Sequence, residues 1–353
     1  MQCVIQFDIS RINPNNMRRP KKILTVSVAS YNLGKLINQC LDSFVVYPEI
    51  IDDIEIIIVD DGSTDDTASR IKKYCRSYPH SFKLIQQKNS GPGSTVNTGI
   101  KNASGKYFRM VDGDDWVDPS AFLQFIRKLK TIDIDMVLTN YVTYHHKRQL
   151  EHQVVKVTDI PKNQLYNFEN LEYHFNPPIR MHHATFRTDI MKKHVKLDDG
   201  FYTDSEYLLF PTPYIKTCIY YDLNLYIYRF ALAGQSTDPK KVRQNLKNHR
   251  KVLDHLLEFY YQEQNKLNDN IRRYLAMQIA GFAVNHVDYL LTTNDDEMKN
   301  NIQKFCQEIE KKHPDIYQYF KNEKKLRLIL ASNFTLVKLL SFAYRKRYQL
   351  LNR

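Results

Sequence analysis

The sequence predicts an α/β fold: a mainly parallel sheet covered by helices on both faces, followed by a helical region. Three observations carry that expectation. Nearly continuous apolar runs alternate with segments of helical spacing between Ile23 and Thr139. Three of those runs end in polar or acidic clusters, where open parallel sheets place their ligands. From Val242 onward apolar residues recur at helical spacing.

The elements follow in order. Ile23–Ala29 is a β-rich apolar run, and Leu36, Cys40, Leu41, Phe44 and Val45 then mark a helix. Ile54–Val59 is a second strand, almost wholly apolar. Ser63-Thr64-Asp65-Asp66 caps a helix with Ala68 and Ile71 inward. Phe82–Gln86 is a short third strand. The turn Ser90-Gly91-Pro92-Gly93-Ser94 opens a helix with Val96, Gly99 and Ile100 inward. Tyr107–Val111 is the fourth strand, and Phe122, Phe125, Ile126 and Leu129 mark the helix before the strand Met136–Thr139. Residues 150–235 are less periodic and rich in Tyr, His and Pro. Helical spacing returns with Val242, Leu246, His249, Leu253, Leu256 and Tyr260, then with Ile271, Leu275, Ile279 and Phe282. Ile302–Ile309 is a further helix that Pro314 ends, and Leu326 to Tyr344 carry the last apolar pattern before Arg345-Lys346-Arg347. The expected division is a basic extension (1–21), an α/β domain (22–238) and a helical domain (239–353), in keeping with the 353-residue length.

Composition is that of a globular chain, 42% hydrophobic and 25% charged. The net charge of +12 is concentrated at the ends. Residues 1–22 hold five Lys/Arg and one Asp, residues 321–353 hold nine Lys/Arg and one Glu, and the stretch between is neutral. A nucleic-acid enzyme would spread positive charge over a working face. Basic ends around a neutral body suit an anionic membrane surface, the plain alternative being solvated tails. The terminal segment fits a membrane interface equally with a helix docked on its own domain. Five scattered cysteines without a CxxC pair indicate neither a zinc site nor a disulfide framework. No apolar run reaches the roughly 18 residues of a membrane span. A reducing, cytoplasmic setting is the expectation, at most peripheral to the inner face of the plasma membrane. Met17, directly before Arg18-Arg19-Pro20-Lys21-Lys22, marks residues 1–16 as an extension or an upstream start.

The most informative stretch is Asp112-Gly113-Asp114-Asp115-Trp116, which follows the fourth strand. Three carboxylates at a strand end repel one another and lose hydration, and a divalent cation shared with a phosphate-bearing substrate offsets both costs. The alternative is a turn with an acidic cap before Asp118-Pro119. The acidic turn has company: Ser30-Tyr31-Asn32 follows the first strand and Asp60-Asp61-Gly62-Ser63 the second. Gly91-Pro92-Gly93 has neither GxxxxGK[ST] nor GxGxxG spacing, so it is not a phosphate loop.

These motifs resemble the family 2 glycosyltransferases of the GT-A fold, bacterial and non-processive. The similarity lies in Ser27–Asn32, in Glu55–Val59 with Asp60–Asp65, in Asn89–Gly99, and in Ala103–Tyr107 leading to the DxD segment Asp112–Asp115. Further along, Gly200–Tyr207 resembles the family's catalytic-base segment and Tyr226–Ser236 a tail motif. Val96 departs from an Arg common before Asn97, Ser30 stands where Pro is usual before Tyr31, and no QxxRW motif occurs, which argues against a processive synthase.

The resemblance implies a Rossmann-like mixed sheet and transfer of a sugar from a nucleotide-diphosphate donor, usually a UDP-sugar, with Mn²⁺ or Mg²⁺. Asp114 is then the first metal ligand, and Asp112 reaches the ribose or shares the metal, with Asp115 in support. Asp61 would accept from the uracil edge and Tyr31 would stack nearby, with Ala29 and Asn32 completing the donor loop. Asn97 touches the donor or shapes its loop, and Asp60 reads as a turn cap. Asp204 is the expected base for the acceptor hydroxyl in an inverting displacement. Glu206 is the fallback, facing the same side if the segment is extended. His182, His183 and Tyr202 are candidates for the acceptor side, though packing roles suit them as well. Arg229 faces either the diphosphate or the surface, and Gln235 and Ser236 go with the tail motif. The acceptor would be a hydroxyl of a cell-surface glycan, a teichoic-type polymer or a lipid-linked glycan. The helical third is left to bind acceptor, membrane or a second subunit as a homo-oligomer. Competing readings are a metal-dependent nucleotidyltransferase and an inactive relative serving as an assembly subunit.

Overall fold

The computed structural model describes residues 22–351 except 46, 158–159, 171–177, 233–234, 236–237 and 294. The expected N-terminal extension, Gly234 and Ser236 lie outside the described residues.

The first half follows the predicted alternation. Strands β1 (Leu24–Ser30), β2 (Ile54–Asp60), β3 (Phe82–Gln86) and β4 (Tyr107–Asp112) are joined through helices α1 (Leu36–Asp42), α2 (Thr67–Ser77) and α3 (Pro92–Asn102). All four strands are parallel, in the order β3-β2-β1-β4. Leu24, Val26, Val28, Ile56 and Ile58 are fully buried, which explains why these strands read as continuous apolar runs rather than alternating ones. After the two-residue β5 (Trp116–Val117), helix α4 (Pro119–Leu129) starts at Asp118, whose Oδ1 accepts from the Ala121 amide at 2.8 Å.

Beyond α4 the sheet departs from the mainly parallel expectation. Strands β6 (Met136–His145), β7 (Leu150–Val155), β8 (Leu165–Asn167), β9 (Ala184–Arg187) and β10 (Thr217–Phe230) complete it. The path runs β3-β2-β1-β4-β9-β6-β10-β5, with β7 on β6 and β8 on β10. β9 lies antiparallel to both β4 and β6, so it reverses the sheet at its middle. At four residues β9 is too short for a periodicity argument, and β10 hides its regularity behind register shifts between Tyr220 and Tyr226. Helices α5 (Thr188–His194) and α6 (Asp204–Leu209) fill the connection between β9 and β10.

Seven helices follow: α7 (Pro239–Gln244), α8 (Leu246–Glu263), α9 (Asp269–Leu291), α10 (Met298–Lys312), α11 (Pro314–Phe320), α12 (Lys324–Ala331) and α13 (Val337–Leu351). Pro314 starts a helix as well as ending one, a position where its missing amide hydrogen costs nothing. The long helix α9 is the hub, with α8, α10, α11 and α13 packed around it. The α8–α9 contact holds a buried pair of stacked imidazoles, His249 and His286, with centroids 5.2 Å apart. The helical region reaches the sheet through the segment before α6: the Tyr202 ring lies 5.2 Å from His249 and 5.3 Å from Tyr289.

Candidate active site

A cavity of about 540 Å³ opens where β1, β2 and β4 end and where the segment before α6 crosses in front of them. Ala29, Tyr31, Asp61, Asp112, Asp114 and Asp204 all line it. The parallel register explains the first group, since Ser30 is aligned with Asp60 and Ala29 with Asp112. Gly113 follows because the chain turns hard against β1 there: its amide donates to the Ala29 carbonyl at 3.0 Å, and a Cβ would lie 2.7 Å from that oxygen.

The carboxylates of Asp112, Asp114 and Asp115 each offer an oxygen within 4.8 Å of the others. They are not equivalent. Asp115 is buried and fully engaged: Tyr226 Oη donates to one oxygen at 2.6 Å and the Arg229 amide to the other at 2.7 Å. Asp112 and Asp114 face the cavity. Burial, with Asp204 and Asp114 nearby, pushes the Asp112 carboxyl well above the ordinary carboxylate range. Burial also raises Asp114, against the pull of Gln235 and Arg229.

Arg229 is not among the residues that line the cavity. Its guanidinium is buried and donates to the Asp114 carbonyl at 2.6 Å and to Gln39 Oε1 at 2.7 Å, and it lies 4.6 Å from the Trp116 ring centre. It holds the acidic turn from behind. Gln235 extends the brace by donating to the Arg229 carbonyl at 2.7 Å. The sequence did hold a signal for this role, a lone cation inside the apolar run Tyr226–Phe230.

Asp61 is buried, and its carboxylate accepts from Gln87 Nε2 (2.8 Å), the Ser90 amide (3.0 Å) and the Gly91 amide (2.8 Å). Asp60 caps the turn by accepting from the Ser63 amide at 3.2 Å. Tyr31 stands 48% exposed at the cavity rim. Two expected donor contacts are set back from the cavity. Asn32 adopts φ 50° and ties the first loop to the second by accepting from the Thr64 amide at 2.8 Å. Asn97 spends its amide group on both the Leu197 carbonyl and the Leu197 amide, each at 2.9 Å. Neither is among the residues that line the cavity.

The Gly-rich turn also clamps the opposite wall. The Gly93 amide donates to the Gly200 carbonyl at 3.1 Å and the Ser94 amide to the Asp199 carbonyl at 3.2 Å. A Cβ on Gly93 would lie 1.8 Å from the Asp198 oxygen. The glycine is there for backbone contact and not for a phosphate.

Asp204 is the first residue of α6, preceded by Tyr202 at φ 72°, a strained backbone for a bulky residue beside a cavity. Its carboxyl is exposed to the cavity, and partial loss of hydration there raises its pKa while nearby Arg180 moderates the rise. Glu206 turns away. The segment is helical and not extended, so residues two apart diverge by about 200°. Glu206 is wholly buried, accepting from the Asp198 amide at 2.7 Å and pairing with His255 at 2.6 Å.

His182 and Tyr202 line the cavity, whereas His183 is buried and accepts from the Arg180 amide at 2.9 Å. His182 is held by its carbonyl, which accepts from the buried guanidinium of Arg109. Burial and neighbouring cations keep the imidazole of His182 well below its usual pKa, so it is neutral. Beside Asp204 a second groove of about 210 Å³ runs between α6 and α9, lined by Arg180, Ser205, Gln278, Gly281 and Asn285 among others. No local sequence pattern marks Arg180 or this groove.

Strand ends that converge on an acidic turn, with a carboxylate on the facing segment, fit the GT-A fold. A family model described as "Glycosyl transferase family 2" matches residues 25–194, and that segment is a family 2 glycosyltransferase domain. Glycosyltransferase GlyA of Streptococcus pneumoniae is 33% identical over 35% of this chain and 17% of its own length. The poly(ribitol-phosphate) beta-glucosyltransferase of Bacillus spizizenii is 35% identical over 33% of this chain and 18% of its own. Chondroitin synthase of Escherichia coli is 26% identical over 67% of this chain and 32% of its own. The chain thus spans a third or less of the length of these relatives. Among solved structures, S. aureus TarS 1–349 shares the fold at TM-score 0.60 and 18% identity, over 92% of this chain and 91% of that one. A complex of the same protein with UDP-GlcNAc aligns at TM-score 0.59.

Proposed function

We propose that this protein is an inverting glycosyltransferase that moves a sugar from a nucleotide-diphosphate donor, a UDP-sugar by preference, to a hydroxyl of a cell-surface glycan, a teichoic-type polymer or a lipid-linked glycan. The observation that carries the reading is the opposition of Asp204 to Asp112 and Asp114 across one cavity, close enough for Asp204 to raise the Asp112 pKa. Crowded carboxylates with raised pKa values fit a site that takes a cation. Asp112 and Asp114 would hold Mn²⁺ or Mg²⁺, while Asp115 is committed to the scaffold. The ion, when bound, supplies neutralisation of charge on the leaving diphosphate. Tyr31 and Asp61 line the same wall and suit the nucleoside end.

Asp204 would take the proton of the acceptor hydroxyl as its oxygen bonds to the anomeric carbon and the bond to the diphosphate oxygen breaks. A carboxylate with a raised pKa is a better proton acceptor than an ordinary one, which suits this role. His182, neutral and on the same cavity, is free to accept a hydrogen bond from a sugar hydroxyl. Arg180, Ser205, Gln278 and Asn285 offer the acceptor a polar path into the cavity. The fragment relationship to the poly(ribitol-phosphate) glucosyltransferase supports a phosphate-containing acceptor, and the cation of Arg180 suits one. The nucleotidyltransferase reading lacks support, because the glycine turn, the place for a triphosphate cradle, is packed on Asp198–Gly200.

The test is UDP release from a panel of UDP-sugars, with and without Mn²⁺. Metal-dependent release from one sugar is expected. Release of pyrophosphate from nucleoside triphosphates would favour the nucleotidyltransferase, and no binding of any nucleotide sugar would favour the inactive subunit.

A further inference from the structure

The outward face of the last two helices is unlike the rest of the surface. Eight large apolar side chains are exposed among the described residues, and four of them fall within fifteen positions: Leu328, Leu336, Leu339 and Phe342. In α13 the positions Leu339, Phe342, Ala343 and Lys346 are all exposed, and their spacing puts them on one stripe of the helix. The stripe is not a mispacked core. The other side of α13 already has its partner: Val337 and Ser341 are buried, and Ser341 Oγ donates to the Leu291 carbonyl at the end of α9 at 2.7 Å. The helix therefore has two apolar faces, of which folding uses one.

Charge identifies what covers the other. Glu323 is the last acidic residue, and the thirty residues after it hold eight Lys/Arg. Lys325 pairs with Asp288, but Lys324, Arg327, Lys338 and Lys346 are exposed. The Lys346 ammonium stands 4.7 Å over the Phe342 ring, so cation and apolar surface share one patch. No helix is long and apolar enough to cross a membrane among the described residues.

We propose that the outward face of α12 and α13 docks this protein on an anionic lipid bilayer, with Leu339 and Phe342 at the headgroup–acyl boundary and the surrounding lysines and arginines on lipid phosphates. Apolar residues inside a cationic rim match that interface on both counts. A second copy of the chain would bring two cationic rims together, and a nucleic acid would leave the leucines and phenylalanine without an apolar partner. The docking stands independently of the transferase reading.

The experiment is co-sedimentation of the full chain with phosphatidylcholine vesicles and with vesicles containing about a third phosphatidylglycerol. Binding is expected only to the second, weakened by salt as screening shortens the reach of the lysines. Leu339→Glu with Phe342→Glu should weaken it about tenfold or more. Lys338→Glu with Lys346→Glu should do the same, each pair leaving the melting temperature unchanged. Equal binding to both vesicle types, no binding, or binding unaltered in both variants overturns the proposal. So does a wild-type dimer in size-exclusion chromatography that the apolar pair dissolves, which would assign the face to a second copy. UDP release by the same variants in detergent-free buffer keeps the two proposals apart: its absence in the wild type refutes the transferase and leaves the vesicle result standing.

Discussion

On one wall of the cavity, Ala29, Asp61 and Asp112 leave adjacent parallel strands whose apolar residues are buried on both sides. On the other wall, Asp204 starts a six-residue helix that follows a loop, and other parts of the chain hold it in place. Asn97 grips Leu197, the glycine turn carries Asp199 and Gly200, Lys251 of α8 pairs with Asp198 at 2.6 Å, and His255 of α8 pairs with Glu206. The strand-end wall is rigid because its own sheet is. The Asp204 wall is held because two separate helices, α3 with its glycine turn and α8, agree on its position. The difference means that the second wall can be disturbed from a distance while the first is left intact.

The largest effect tests the chemistry of the two walls. Asp204→Asn should lower transfer to acceptor by about 10²–10⁴-fold, the usual range for loss of a general base, with nucleotide-sugar binding retained. Asp114→Asn should instead weaken metal-dependent nucleotide-sugar binding itself, measured by calorimetry. Equal loss of binding in both variants would erase the distinction.

The next effect comes from the clamp between the walls. Gly93→Ala forces the Asp198 carbonyl to move, since a Cβ would lie 1.8 Å from it. Overpacking of this kind costs about 1–3 kcal/mol, and displacement of a catalytic group by about 1 Å lowers turnover about 10²-fold. Turnover should therefore fall far more than nucleotide-sugar affinity. A parallel fall in both would show that the clamp serves the strand-end wall too.

The smallest effect is one of pH. Burial holds His249 at a pKa of about 2 and His286 at about 4, both below the value near 6.5 of an unfolded chain. Unfolding then takes up protons below pH 6.5, so this contribution to stability is complete above that value and is lost as pH falls towards the folded pKa. At pH 5 each imidazole accounts for about 2 kcal/mol lost relative to pH 7. His286→Gln should reduce the acid dependence of the melting temperature, read by calorimetry between pH 7 and 5. An unchanged slope would mean that these imidazoles are not what acid attacks.

How much was legible follows from the same contrast. β1, β2 and β4 announced themselves because each is a short apolar run ending in polar residues, and their register brings Asp61, Asp112 and Asp114 to one cavity without further information. Asp204 was legible through resemblance, but its surroundings were not. Asn97 and Leu197 are far apart in sequence, and neither carries a local pattern that names the other. The side that Glu206 faces depended on whether its segment was extended or helical, and Thr203-Asp204-Ser205 offers no strong propensity either way. The antiparallel insertion of β9 escaped because four residues hold too little periodicity to identify a strand, let alone its direction.

Arg229 has a consequence for how the acidic turn tolerates its own charge. Three neighbouring carboxylates would ordinarily push a turn apart. Here a guanidinium from the far end of the sheet is seated under the turn, bonded to the carbonyl of Asp114, and the amide of the same residue is bonded to Asp115. The acidic turn is therefore braced from inside by the protein's own charge, and its like charges have a counterweight in the fold itself.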